Sequence, residues 1–337
     1  MLPNVLLFAL GLVLLIKGGD WFVDGATGLA RRFKIPELLI GATVVSIGTT
    51  LPEVMVSATS AAQGIGGIAY GNAIGSIICN TSLIAAITIA VKPAKIEKKS
   101  LTVPVAFFFG AAAFYCTVAY AFGRFSRLSG VILLLGFAAY MTLCVLQALK
   151  NQNGDALEIA DAELDKPVED AVSAAADKKQ LIKDIIFLVI GAALIAVGAD
   201  LLVDNGTIIA EELGVPAAVI GLTFVALGTS LPELVTAITS LVKGHGALSL
   251  GNVIGANLFN LVLVSGVSTV IGPFDVPAET LVFGGTPLSF ALDIPVMLGV
   301  MLILTVPAFL KGKLYRAQGI ALLCVYAAFT VLQFVLA

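Results

Sequence analysis

Gly48-Thr49-Thr50-Leu51-Pro52-Glu53 returns 180 residues later in the same chain as Gly228-Thr229-Ser230-Leu231-Pro232-Glu233. The flanks keep this offset without a gap. Residues 40–83 set against 220–263 show 19 identities in 44 positions, and 11–39 against 191–219 add nine more. The upstream identities include Gly18 with Gly198, Asp20 with Asp200, Asp24 with Asp204 and Pro36 with Pro216. Each copy of the motif lies inside a long apolar stretch, where a carboxylate is costly and marks a functional site by default. A duplicated chain that places one such carboxylate in each half points to a pair meeting at the centre of a transporter.

A mean hydropathy of +1.04, with 59% hydrophobic and only 12% charged residues, excludes an ordinary soluble domain. Apolar stretches of about 20 residues can cross a bilayer. Ten are readable, at 3–25, 36–62, 70–91, 101–121, 128–149, 181–203, 216–242, 247–271, 287–310 and 316–336. The first lacks a basic n-region and belongs to the repeat, so it reads as a span and not as a cleaved signal peptide. Five spans in each half force the second half to enter the membrane from the opposite side. The expected fold is therefore an all-α polytopic membrane protein of ten transmembrane helices in two inverted five-helix repeats. The first repeat covers 1–149, a cytoplasmic acidic linker 150–180, and the inverted second repeat 181–337.

Basic residues orient such a chain. With the N-terminus outside, the inner loops hold 16 of the 19 Lys and Arg residues; Arg124 and Arg127 fall outside and Lys17 within the first span. Both termini are thus expected outside. The polar segment from Lys150 to Gln180 is rich in acids and alanine, including Asp155, Glu158, Asp161 and Glu163, but lacks the Asp-x-Asp-x-Asp-Gly pattern of a calcium loop. It reads as a solvated, partly helical linker. The four cysteines, Cys79, Cys116, Cys144 and Cys324, have no paired spacing and read as small hydrophobes in helix packing.

On a helix Thr49, Thr50 and Glu53 share one face, and Ser46 extends that stripe by a turn. Pro52 lacks an N–H, so the Gly48 carbonyl loses its helical partner and a break is expected there; Pro232 does the same for Gly228. Freed carbonyls at membrane depth are tolerated only where they face protein, water or a ligand. The following span of each half supplies a second polar stripe: Asn72, Ser76 and Asn80 in the first, Asn252, Ala256 and Asn260 in the second. All these groups are oxygen donors of low basicity, with no histidine, cysteine pair, lysine or arginine among them. That set suits hard cations such as Ca²⁺ or Na⁺ and not zinc or copper. Two bidentate carboxylates with the Thr49 and Thr229 carbonyls give about six oxygens, within the usual range for calcium.

Gly-Thr-x-Leu-Pro-Glu followed by Gly-Asn-x-x-Gly, in two copies, resembles the alpha repeats of the sodium/calcium exchanger family of the cation/calcium antiporter superfamily. The resemblance spans both repeats and the ten-span layout. It implies antiport of Na⁺ against Ca²⁺ by alternating access at a central site, with the ions as substrates and no cofactor. It further implies calcium between Glu53 and Glu233 with Thr49 and Thr229. Sodium is implied at those glutamates and at Ser46 and Ala226 through their carbonyls, with Thr50, Ser230, Ser76, Asn80 and Asn260. The first and sixth spans are implied to slide as gates. Three departures stand out: Thr50 replaces a serine, Ala256 a serine, and Asn260 the aspartate of some microbial and potassium-dependent members.

The repeated Asp20/Asp24 and Asp200/Asp204 sit at span ends where an acid opposes the helix dipole; they read as solvated interfacial groups, with gating contacts as the alternative. His245 reads as solvated, and Trp21 as an interface or packing residue. The rivals are a proton/calcium antiporter, an intramembrane lipid pyrophosphatase and a cation channel. The pyrophosphatase needs cationic groups for phosphate, and no Lys or Arg lies near either motif. The chain is not expected to be an enzyme. Its short polar segment points to the plasma membrane of a microbe, with the lipid bilayer as surroundings and no obligatory protein partner.

Overall fold

Where lipid replaces water every backbone N–H must find its acceptor within the chain, and helices do this segment by segment. The computed structural model describes residues 2–336 apart from 94, 95, 97, 161–169, 214–227, 279, 280 and 283, with the backbone alone at 150–160, 170–177, 210, 211 and 334. It is almost wholly helical. In chain order the helices are α1 (Leu2–Arg32), α2 (Glu37–Ala62), α3 (Gly66–Val91), α4 (Lys98–Phe122), α5 (Arg127–Ala160), α6 (Asp170–Glu212), α7 (Leu231–Val242), α8 (Gly246–Ile271), α9 (Ser289–Lys311) and α10 (Arg316–Leu336). Nine of these are long and apolar enough to span a membrane among the described residues; α7 is the remainder of the expected span at 216–242, whose first part lies outside them. A two-residue ladder, Arg124 and Phe125 against Asp275 and Phe274, ties the loop before α5 to the loop after α8.

The segment expected as a linker is more helical than its composition indicated. Helix α5 continues to Ala160 and α6 begins at Asp170, so residues 161–169 alone remain outside the described helices. Ala174-Ala175-Ala176 favours helix at the start of α6, whereas the end of α5 runs through Asn151, Asn153, Gly154 and Asp155, which propensity does not favour.

Among the described residues, buried side chains form two clusters. The larger joins α2, α3, α4, α5, α7, α8, α9 and α10. The smaller is built on α1 and α6, through Leu15, Phe22, Val23, Ala26, Ile195 and Ala199, and leans on Ile40 and Val45 of α2. Glycines make the α1–α6 contact close. A Cβ on Gly11 would lie 2.8 Å from the Gly198 carbonyl oxygen, and one on Gly198 2.8 Å from that of Gly11; Gly18 and Gly191 answer each other in the same way. Gly191 and Gly198 are Gly11 and Gly18 displaced by one repeat. Residue 11 therefore faces 198 and residue 18 faces 191, so the equivalent helices run antiparallel about a pseudo-two-fold axis. This is the inverted repeat in coordinates, with small residues allowing backbone-to-backbone approach.

The helices of the motif are not regular. A π-turn at Gly41–Val45 interrupts α2, and π-turns at Asn80–Ala85 in α3 and Asn260–Val264 in α8 start at repeat-equivalent asparagines. Single-turn π-bulges of this kind collect at functional sites. The expected break at Pro52 is not seen: Ser46–Ala62 is one helix with Pro52 inside it. In the second half the break is present, since Thr229 and Ser230 form a turn and α7 begins at Leu231 with Pro232 in its first turn. Proline is tolerated in a membrane helix where neighbours absorb the lost bond; at a helix start no bond is lost.

The glycine seam sets a paired expectation. Gly11→Val and Gly198→Val should each destabilise the protein, by about 1–3 kcal/mol through overpacking, and by matching amounts because the contact is reciprocal. Thermal unfolding in detergent, followed by size-exclusion chromatography, measures both.

Candidate functional site

Helices α2 and α7 bring Glu53 and Glu233 to the interior, each 0% exposed, and the two carboxylates lie within electrostatic range of one another. Neither oxygen of Glu53 has a hydrogen-bond partner. Glu233 Oε1 accepts a long bond from Thr50 Oγ1 at 3.5 Å, while its Oε2 is unpartnered. The Thr50 bond crosses from one repeat to the other.

Two asparagines clasp the repeats together. Thr49 Oγ1 donates to Asn252 Oδ1 at 3.1 Å, and Thr229 Oγ1 donates to Asn72 Oδ1 at 3.4 Å. Shifting either pair by 180 residues yields the other, so this is the same pseudo-two-fold contact seen in the glycine seam. Asn72 is further held by donating Nδ2 to the Glu53 carbonyl at 3.2 Å and to Ser57 Oγ at 2.8 Å. On the other side Ala237 stands where Ser57 would be repeated, and Asn252 Nδ2 is buried without a partner. Ser46 Oγ donates to the Gly41 carbonyl at 2.7 Å, closing the π-turn, and also contacts the Asn252 carbonyl at 3.0 Å.

The π-turns of α3 and α8 open with Asn80 and Asn260, both fully buried. Asn80 has no partner at either amide atom, whereas Asn260 donates Nδ2 to the Ala256 carbonyl at 3.0 Å and leaves Oδ1 unpartnered. Ser265 Oγ takes up the Asn260 carbonyl at 2.9 Å. Ser230 Oγ is buried and unpartnered, and Ser76 is buried on α3. Ala226 lies outside the described residues. The arrangement thus presents carboxylate, amide and hydroxyl oxygens whose hydrogen-bonding capacity is unused, a costly condition in an apolar interior unless a cation or proton answers it. The chemistry is that of hard oxygen donors. Among the described residues no three His, Cys, Asp or Glu side chains gather elsewhere as an alternative centre.

The contacts of Asp24 and His245 correct two expectations. Asp24 is not merely solvated: its Oδ1 lies 2.8 Å from Lys243 Nζ, and Asp20 Oδ1 lies 3.4 Å from the same ammonium. Lys243 also donates to the Asp20 carbonyl at 2.9 Å, tying α1 to the α7–α8 connection. His245 is half-buried, its Nδ1 2.8 Å from Glu37 Oε1, again joining the two repeats. The clasp asparagines Asn72 and Asn252 lay on the predicted polar stripe but not among the proposed ligands; their repeat-equivalent spacing from the motif was the signal.

The chain matches the sodium/calcium exchanger protein family over residues 3–146 and 183–335. It is 32% identical to the sodium/calcium exchanger MaX1 of Methanosarcina acetivorans over 98% of both chains. It is 34% identical to the inner membrane protein YrbG of Escherichia coli over 90% of this chain and 88% of the other. The solved structure of the sodium-calcium exchanger NCX_Mj superposes with a TM-score of 0.76 at 31% identity, over 97% of each chain.

The Lys243 pairing has no second copy, because Gln63 occupies its repeat-equivalent position. Asp24→Asn and Lys243→Gln should each lower stability by about 0.2–1 kcal/mol, as expected of partly exposed pairs, and Asp204→Asn should not. The exchanged pair Asp24→Lys with Lys243→Asp should recover only part of the loss in the same unfolding measurement, because Asp20 also faces position 243.

Proposed function

Because the chain belongs to the sodium/calcium exchanger protein family, a family of membrane cation antiporters, we propose that it exchanges Na⁺ for Ca²⁺ by alternating access at the site between its repeats. The observation that carries this reading is the meeting of Glu53 and Glu233, fully buried and with carboxylate oxygens unpartnered. Two negative charges balance one Ca²⁺. In this proposal Ca²⁺ lies between the two glutamates with the Thr49 and Thr229 carbonyls. Sodium ions take the same carboxylates with Ser46, Thr50, Ser76, Asn80, Ala226, Ser230 and Asn260. Sharing the carboxylates makes the ions compete, and competition at one centre is what couples their opposite movements. The α1–α6 unit, packed as its own cluster, moves against the remainder to expose the centre to one face and then the other. Repeats at 1–149 and 181–337, a linker at 150–180, termini outside and a microbial plasma membrane complete the reading.

Protons also compete for glutamates, so proton/calcium antiport is the second reading, favoured by the same unpartnered carboxylates. Calcium-45 uptake into proteoliposomes separates the two. Uptake should follow an outward sodium gradient and drop to the level of empty vesicles in Glu53→Gln or Glu233→Gln. Uptake indifferent to sodium but following a pH gradient would overturn the sodium reading.

The missing hydroxyl at Ala256 yields a finer expectation. Ala256→Ser restores one oxygen donor, so the sodium concentration for half-maximal drive should fall by up to about fivefold, the worth of one net hydrogen-bond-sized interaction. Titrating sodium in the same vesicles measures it.

A further inference from the structure

Away from the central glutamates, a polar cavity of about 600 Å³ opens between α1 and α6 at the basic end of α1, lined by Asp24, Gly28, Arg31, Arg32, Lys183 and Asp184 among others. Its two acids are engaged. Asp24 pairs with Lys243 at 2.8 Å. Asp184 accepts from Gln180 Nε2 at 2.8 Å and is 5% exposed, its carboxylate filling the space a side chain on Gly28 would take. The cations differ in placement. Arg31 and Lys183 are exposed, and Arg31 uses its Nε on the Thr27 carbonyl at 3.3 Å. The cavity therefore has an acidic floor, in which Asp24 is charge-paired and Asp184 is held by a neutral amide, beneath a more numerous set of cations.

What adjoins the rim is apolar. Ile182, Ile185, Ile186 and Val189 on α6 are between 44% and 61% exposed, the pattern of a helix facing acyl chains. Trp21 of α1 stacks on Phe187 of α6 with ring centroids 5.6 Å apart, and Lys183 Nζ sits 5.2 Å from the Phe187 ring centre. Paired aromatic rings beside arginine and lysine are the chemistry of the headgroup level of a membrane. Basic pockets between transmembrane helices at that level hold anionic lipid headgroups.

We propose that this cavity binds the phosphodiester headgroup of an anionic phospholipid, held by Arg31 and Lys183, with its acyl chains along the exposed apolar face of α6. Arginine is suited to the phosphate because its planar fork can donate two parallel bonds. A soluble phosphate ester offers the same oxygens, but nothing in it would use the apolar strip that leads from the rim. The bound lipid would bridge α1 and α6, one helix from each repeat, and so hold together the unit that packs apart from the main core. This assignment is independent of which ion the protein transports.

Native mass spectrometry of the full chain, delipidated and offered phosphatidylglycerol or phosphatidylcholine, tests it. Phosphatidylglycerol should be retained in preference. The Arg31→Gln, Lys183→Gln double variant should weaken that retention by about fivefold for each cation removed, while Lys313→Gln, on a separate basic loop, should not. Equal retention of the two lipids by the unchanged protein would overturn the proposal without any variant. So would a double variant that keeps phosphatidylglycerol as well as the unchanged chain. Displacement of the bound lipid by glycerol phosphate would assign the cavity to a soluble ester and likewise sink the lipid reading.

Discussion

Two carboxylates enclosed together at membrane depth, with no lysine or arginine among their hydrogen-bond or ion-pair partners in the described residues, are the constraint around which the rest of the molecule is arranged. An uncompensated charge in such surroundings costs several kcal/mol, and two like charges repel besides. Such a pair persists only where the fold holds it in place and something positive relieves it. The holding is visible. Asn72 fixes the backbone of Glu53 through its carbonyl, Asn252 fixes Thr49, and Thr50 reaches across the interface to Glu233. The π-turns of α3 and α8 begin at Asn80 and Asn260, whose amides are fully buried as well.

Because the repeats are inverted, each contact that crosses between them tends to occur twice. Gly11 with Gly198 and Gly18 with Gly191 are one contact seen from two sides, as are Thr49 with Asn252 and Thr229 with Asn72. A perfect repeat of this kind has no internal reason to prefer one arrangement of its halves over the two-fold-related arrangement. The departures from symmetry therefore carry the preference. Pro52 is absorbed within a helix while Pro232 begins one. Lys243 ties α1 to the α7–α8 connection, with Gln63 at the equivalent place. Ser57 supports Asn72, and Ala237 gives Asn252 no such support. Of these, the Lys243 pairing joins the α1–α6 unit to the larger cluster, so it bears most directly on their relative position.

Much of this was legible in the sequence, for physical reasons that differ from feature to feature. The spans followed from the cost of exposing polar backbone to lipid, and the glutamates from the cost of a buried charge. Inversion followed from an odd number of spans, and the glycine seam then made it visible in the contacts. The π-turns were not legible, since one extra residue in a turn leaves no mark on an apolar stretch. Pro52 misled because the loss of one hydrogen bond was equated with a broken helix, whereas packing around α2 keeps the helix continuous. Asp24 and His245 misled for another reason. Their partners, Lys243 and Glu37, lie more than two hundred residues away, and no local pattern records such a pairing.

In the proposed site the asparagines narrow the question of the coupling ion. An aspartate at position 80 or 260 could accept a proton and so change the charge of the centre with pH, but an amide cannot. With Asn80 and Asn260 both neutral, the whole proton capacity of the buried cluster rests on Glu53 and Glu233. The buried amide and hydroxyl oxygens take up no proton themselves and act on the proton only through the two carboxyls. A metal cation needs several oxygens at once. Asn80, Asn260 and Ser230 stand buried with acceptor oxygens unpartnered, which is the arrangement that rewards an ion able to gather many ligands over one that takes only one.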